Sequence, residues 1–420
     1  MTAAALLELC AELLRSVLRF DHPTDAVVSA FFRLHRSLGQ RERHALAETV
    51  YAVLRRRALF QHLARGGPGT LERRLALRGW PGGDTPWQSA LAPQETVWLS
   101  QARRVESGEL PRKLRHNLPD WLAAELEAKF ADAEFWALVA SLDAPAALDL
   151  RVNALRGKRA DAQAMLAAAG VQASPTPYSP WGLRVQGKPA LHKLDVFTQG
   201  RVEVQDEGSQ LLALLTEARR GETVVDFCAG GGGKTLALGA MMRNTGRLYA
   251  FDTSGHRLDA LEPRLLRSGL STVYRTQIAH EQDERVLRLA GKVDRVLVDA
   301  PCSGLGTLRR NPDLKWRQSP ESVLELRLKQ TAILASAARL LKPGGRLVYA
   351  TCSLLASESE SVAAAFDAEH HRDFKPIAAL EVLKRSKLVR GDTLVEGPYL
   401  RLWPHRHATD GFFAAVWEKR

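Results

Sequence analysis

Cysteine is scarce in this chain, with four residues in 420, at positions 10, 228, 302 and 352. No Cys-x-x-Cys spacing occurs among them, so neither a disulfide framework nor a thiolate metal site is supported, and free thiols are expected. The chain also lacks an apolar run of about 18 residues, which excludes an ordinary membrane-spanning helix. Its first residues, MTAAALLELCAELLRSVL, carry Glu8 and Glu12 without a basic leader. They read as an amphipathic helix instead of an export signal, and the cytoplasm is the expected compartment. Internal repeats and low-complexity tracts are missing as well. A hydrophobic fraction of 45% with 25% charged residues is that of a globular protein, long enough for two or three domains with their own cores.

Basic charge is in excess, at 59 Lys and Arg against 47 Asp and Glu, a net charge of +12. Arginine far outnumbers lysine, and an Ala-, Leu- and Arg-rich composition can produce such a balance by itself. The excess is nevertheless concentrated: 7 basic against 3 acidic residues in 51–100, 7 against 2 in 151–200, and 9 against 3 in 301–350. Concentration of this kind favours a face for a polyanion such as RNA.

Helical periodicity dominates the first hundred residues. Leu6, Leu7, Cys10, Leu13, Leu14 and Val17 recur at three- and four-residue steps, which predicts a packed Cys10. A second helical run reaches residue 57 with a break near Gly39, and the Gly- and Pro-rich stretch 66–87 reads as a loop or irregular insertion. From about 110 a proline-punctuated connector leads into strand, turn and helix, and 171–200 carries Pro175, Pro177, Pro180 and Pro189, so 111–200 is expected to form a connector and small α+β module. From 201 onward strand and helix alternate. Strands are predicted at 223–228, 247–251, 294–299 and 346–351, with helices at about 234–243, 255–269, 320–341 and 357–369. This rhythm predicts an α/β, doubly wound parallel sheet covered on both faces, binding its ligand at the carboxyl ends of the strands.

The chemistry-bearing residues all fall at such ends. DFCAGGGGKT joins the first strand to its helix through Ala229, Gly230, Gly231, Gly232 and Gly233, and glycine there permits close backbone approach to a ligand. A phosphate-binding P-loop competes, but it requires glycine where Cys228 stands. Asp252 ends the next strand, where a carboxylate can accept both hydroxyls of a ribose, so a nucleoside cofactor is favoured over a triphosphate or NAD. Cys228 is expected to pack passively beside that ligand. Lys234 opens the helix after the loop, within reach of Asp299 or a substrate group. Cys302 in VLVDAPCSG and Cys352 in RLVYATCS end two further strands, and each is followed by serine.

DFCAGGGGKT, FDTSGHRLDAL, VDAPCSGLGTLRRNPDLKW, ATCS and TDGFFAAVW together resemble the Sun/RsmB family of S-adenosylmethionine-dependent RNA cytosine-5 methyltransferases, over about 201–420. FFRLHRSLGQRERHALAETVYAVLRRR is similar to the NusB-like RNA-binding domain of bacterial members. The resemblance implies a Rossmann-like class I methyltransferase domain at 201–420, a helical NusB-like domain at 1–110 and the α+β module between them. It implies S-adenosylmethionine held by Cys228 to Lys234, Asp252 and Asp299, with an acidic residue after the third strand on the adenine amine, for which Asp283 is the nearest candidate and Glu281 another. The resemblance also implies Cys352 as nucleophile at carbon 6 of cytosine, Cys302 assisting loss of the carbon 5 proton and release, and Asp299 on the ring nitrogen or exocyclic amine. The nucleophile must react as thiolate, and Lys234 is expected to help.

The loop departs from the family pattern in carrying Gly230 and Gly231 where most members have Ala-Pro or Ser-Pro. The expected partner is RNA, ribosomal in preference to transfer RNA, with the target base out of the stack. No metal or membrane is expected, and the protein is taken to be monomeric. Arg309, Arg310, Lys315 and Arg317 with Trp316, directly after Cys302, are expected to grip the RNA backbone and stack a base. A non-catalytic RNA-binding assembly factor and a P-loop NTPase are the competing classes. The paired cysteines oppose the first, and Cys228 with Asp252 the second.

Overall fold

The three- and four-residue spacing at the start of the chain produces the helix Ala3–Val17, whose Leu6, Leu7, Cys10, Leu13, Leu14 and Val17 are buried and whose cap is Thr2, accepting from Ala5 N. Burial pushes the Cys10 thiol up to about 12, a hydrogen bond with Thr49 opposing, as befits a packing residue. The computed structural model describes residues 1–80, 87–105, 108, 110–388 and 390–420. It divides into two compact units, Met1–Ala144 with Leu308–Pro320, and Pro145–Thr307 with Glu321–Arg420.

The first unit is helical among its described residues. Gly39 precedes the helix Gln40–Arg55, and its N–H donates to the Glu42 carboxylate at 2.7 Å. The expected insertion at 66–87 is in part a helix, Leu71–Gly79, because Thr70 caps Arg73 N and Leu75, Ala76 and Leu77 are buried. Residues 81–86 lie outside the described residues. The helices Asp120–Lys129 and Asp132–Asp143 also belong to this unit, which extends to Ala144. Asn117 shows one tie: its Oδ1 accepts from Ala58 N and Leu59 N, and its Nδ2 donates to Arg55 O.

Segment 308–320 differs from expectation. Trp316 Nε1 donates to Leu54 O at 3.0 Å, Lys315 Nζ donates to Arg55 O at 2.8 Å, and Arg55 Nη2 donates to Arg309 O at 2.8 Å. The Arg57 guanidinium sits 5.0 Å over the Trp316 ring. Burial pushes Lys315 down to about 8, with Asp143 opposing. These side chains are spent on unsatisfied helix-end carbonyls and on packing, so the expected grip on RNA by Lys315 and Trp316 is not what their contacts serve.

In the second unit, β1 (Leu148–Val152), β2 (Ala173–Pro175), β3 (Gly182–Val185) and β4 (Val202–Val204) form an antiparallel sheet in the order β2-β3-β1-β4, with the helix Arg159–Ala168 following β1. The larger sheet comprises β5 (Thr223–Asp226), β6 (Arg247–Asp252), β7 (Val273–Gln277), β8 (Val293–Asp299), β9 (Leu341–Thr351), β10 (Phe374–Ile377), β11 (Val395–Glu396), β12 (Tyr399–Leu402) and β13 (Phe412–Lys419). Its order is β11-β12-β13-β9-β8-β5-β6-β7, with β10 on β13. Strands β5 to β9 pair in parallel, and β10 to β13 add antiparallel strands beyond β9. This is a Rossmann-like, mostly parallel sheet with an antiparallel extension, and helices precede it in the chain.

Near-continuous apolar strands suit a sheet covered twice. Val224, Leu297 and Val348 face one cluster with Leu211, Leu215 and Leu238. Val225, Val296, Val298 and Leu347 face the other, with Leu334, Ala337 and Phe366. Truncating such a buried leucine to alanine costs about 2–5 kcal/mol. Among the described residues no helix is long and apolar enough to cross a membrane.

Candidate active site

Strand β5 ends at Asp226 and the chain turns through glycine into the helix Gly233–Met241. Gly232 caps that helix at φ 80°, and a Cβ there would collide with Leu261, so glycine is required. Gly230, at φ 53°, has nothing within 4 Å of where a Cβ would stand, leaving its face open to a ligand. Asp252, at the end of β6, braces the loop: Oδ2 accepts from Gly230 N and Oδ1 from Ser254 N, both at 2.8 Å. Each oxygen keeps a second lone pair for a ribose hydroxyl. Beneath the loop, buried Asp226 accepts from Thr235 Oγ1 at 2.7 Å. Burial pushes its carboxyl up to about 7, the Thr235 bond opposing and the Asp299 charge adding.

Parallel pairing of β8 with β9 sets Asp299 beside Ala350. The turns that follow therefore run together, and Cys302 Sγ lies 3.3 Å from Cys352 Sγ. Lys234 Nζ donates to Asp299 Oδ2 at 2.5 Å. Burial alone would push the Lys234 ammonium down, but the charge and hydrogen bond of Asp299, with smaller contributions from Cys352 and Asp226, hold it above its ordinary value. The contact with Cys352 first, and burial second, push the Cys302 thiol well up. Cys228 is likewise pushed up by burial, with the neighbouring carboxylates adding.

One cavity of about 790 Å³ brings together Cys228, Ala229, Gly230, Gly231, Gly233, Lys234, Asp252, Asp299, Cys302 and Cys352. Gly232 does not line it, being turned toward Leu261. Asp283 is also outside the lining, because its oxygens are committed to Ala279 N and Arg285 N, which shape the bend after β7 and start the short helix Glu284–Leu287. His280 and Glu281, on the inner side of that bend, line the cavity instead. Sequence reasoning also missed Gln205, Arg257 and Lys329. Arg257 had a signal, since it sits in the first turn of the helix after Asp252. Lys329 had none, lying mid-way along the helix Pro320–Leu340.

A glycine cradle, a carboxylate at the next strand end and two thiols opposite fit a nucleoside methyl donor and a base to be methylated. A family model for the 16S rRNA methyltransferase RsmB/F matches residues 213–418, and one for the ferredoxin-like domain of RsmF/B-like methyltransferases matches 118–192. A relative in Synechocystis sp., described as a probable ribosomal RNA small subunit methyltransferase B, is 35% identical over 308 residues, 73% of this chain and 67% of its own length. The ribosomal RNA small subunit methyltransferase B of Sodalis glossinidius is 32% identical over 372 residues, covering 88% of this chain and 76% of that one.

The chain belongs to the RsmB/F methyltransferase family. Among solved structures, a methyltransferase homolog from Pyrococcus horikoshii is similar over 75% of this chain and 100% of that one, with TM-score 0.63 and 26% identity. NSun6 from the same organism, solved with SFG, shares the fold at TM-score 0.61 and 21% identity over 72% of this chain and 98% of that one. As an RsmB/F member the chain is an S-adenosylmethionine-dependent RNA cytosine-5 methyltransferase.

Proposed function

We propose that this chain methylates a cytosine of small-subunit ribosomal RNA, with Cys352 as the nucleophile. The observation that carries the reading is the pair of sulfurs, 3.3 Å apart, in the cavity that also holds the Lys234–Asp299 ion pair. Carbon 5 of cytosine is a poor nucleophile until a thiolate adds at carbon 6, which breaks the 5,6 double bond and makes carbon 5 enamine-like. S-adenosylmethionine, when bound, supplies an electrophilic methyl group to that carbon.

In this reading Asp299 holds the base at its ring nitrogen or exocyclic amine, and Lys234 orients Asp299 while its positive charge favours the Cys352 thiolate. Cys302 assists removal of the carbon 5 proton, after which the Cys352–carbon bond breaks and the double bond reforms. Cys228 to Gly231, Gly233 and Asp252 hold the methyl donor, and Glu281 or His280 takes the adenine contact expected of Asp283. The helical unit serves as a NusB-like RNA-binding domain of a monomeric cytoplasmic enzyme, and the base enters flipped out of its stack.

Ribosomal RNA as substrate is supported by the names of the relatives. Bisulfite sequencing of total RNA from a strain lacking the gene tests it. Loss of a 5-methylcytosine in 16S rRNA is expected, whereas loss confined to tRNA, or no loss at all, overturns the reading.

A further inference from the structure

Cys302 and Cys352 are each followed by a serine, and these two serines converge on one buried carboxylate. Glu358, fully buried, accepts from Ser303 Oγ and Ser353 Oγ at its Oε2, both at 2.5 Å. Its Oε1 accepts from Ser303 N at 2.8 Å and Gln330 Nε2 at 3.0 Å. The same Gln330 amide donates to the carbonyl of Pro301, on the other side of Cys302, at 2.9 Å. Tyr349 OH, at 2.6 Å from Glu358 O, and the Thr351–Ser359 hydroxyl pair at 3.0 Å fix the short turn on which the carboxylate rides.

A carboxylate withdrawn from water is costly unless its lone pairs are filled, and here donors from both cysteine turns fill them. Pairing of this quality makes the two turns one body: neither can shift without breaking a charge-assisted hydrogen bond. The backbone adds a second tie, Gly306 N to Cys352 O at 2.8 Å, where a Cβ on Gly306 would strike Gly411 and Cys352.

We propose that Glu358 is a positioning residue for the methyl transfer, setting the separation of the two sulfurs by clamping Ser303 and Ser353. Its hydrogen bonds go to the two turns and Gln330, so it acts on the sulfurs through the turns. The proposal rests on the cysteine roles given above. Reacting groups displaced by about 1 Å lose on the order of 100-fold in rate, so the clamp governs kcat and not affinity.

Glu358→Gln places an amide N–H₂ among donors and loosens the clamp while conserving shape. With an unmodified 16S rRNA transcript and S-adenosylmethionine, kcat is expected to fall by about 10- to 100-fold. KM for both and cofactor affinity by calorimetry are expected to stay near those of the parent protein, while the melting temperature falls with the lost buried hydrogen bonds. An SDS-resistant protein–RNA adduct should accumulate, because release depends on the placement of Cys302. Ser353→Ala supplies a second route, and its loss should be non-additive with that of Glu358→Gln.

Unchanged kcat in both variants overturns the proposal. A fall in kcat matched by a loss of cofactor affinity also overturns it, since that is the signature of a general disturbance of the cavity. Cys352→Ala in the same assay separates the two levels: if it remains active the cysteine reading fails, and if it is dead while Glu358→Gln is normal only the clamp fails.

Discussion

Cys302 Sγ and Cys352 Sγ lie 3.3 Å apart although 50 residues separate them in the chain. Their meeting follows from the adjacency of β8 and β9, which places both turns at the same carboxyl end of the sheet, just after Asp299 and Thr351. Two thiols so close suit a division of labour between addition and release. Cys352→Ala is expected to abolish methyl transfer while leaving S-adenosylmethionine binding intact, read by tritiated methyl incorporation and calorimetry. Cys302→Ala is expected to accumulate a covalent protein–RNA adduct, visible as a band resistant to SDS.

Lys234 is held by Asp299, with side-chain exposures of 12% and 26%, low enough for the pair to feel little solvent screening. Removing its charge leaves Asp299 without its ion-pair partner and removes a cation that acts on Cys352. Lys234→Met should lower kcat by about 10-fold or more, and Lys234→Arg by less. Single-turnover rates at saturating cofactor check both, and equal rates for the two variants would argue that charge is not the relevant property.

Asp226 makes the stability of the catalytic unit pH-dependent. Its carboxyl is pushed up to about 7 by burial, against about 3.9 in an unfolded chain. Between those values the native state holds a proton that the unfolded state has lost, so this group's contribution is full below about 4 and is lost as pH rises through about 7. Asp226→Asn keeps an acceptor for Thr235 and cannot ionise. Melting temperature measured from pH 4 to 8 should decline less steeply in this variant than in the parent protein; parallel curves would refute the assignment.

Trp316 donates to the C-terminal end of a helix at Leu54 O and stacks under Arg57. Trp316→Phe retains the ring and loses the hydrogen bond, an expected cost of about 1 kcal/mol, and Trp316→Ala should cost about 2–3 kcal/mol. Denaturant titration of the full chain measures both. A variant that melts normally but fails to bind the 16S rRNA transcript would restore the RNA-contact role that its packing opposes.

Much of the catalytic sheet was legible because its signals are local. Apolar runs such as VLVD and LVYAT mark buried parallel strands, and glycine after Phe227 and Cys228 marks a tight turn whatever lies around it. The antiparallel additions at the β13 edge were less legible, since short strands such as Val395–Glu396 carry no period long enough to read. Lys315 and Trp316 misled for a different reason. Arginine, lysine and tryptophan in one loop form the same pattern whether they meet phosphate or helix-end carbonyls, and Arg55 and Leu54 lie some 260 positions away. Basic charge elsewhere is similarly spent inside: Arg184 holds Asp149, Arg151 holds Gln205, and Arg346 is paired with Glu217.

Composition and order of residues by themselves determined the strand-end positions of Asp252, Asp299, Cys302 and Cys352, and the need for glycine between strand and helix, because these depend on neighbours within a few residues. Tertiary structure alone decided that two serines share Glu358, that Asp283 shapes a bend while Glu281 faces the cavity, and that 308–320 belongs with the helical unit. The physical reason is that hydrogen bonds and burial are set by distance in space. A donor's worth depends on which acceptor the fold brings within about 3 Å of it.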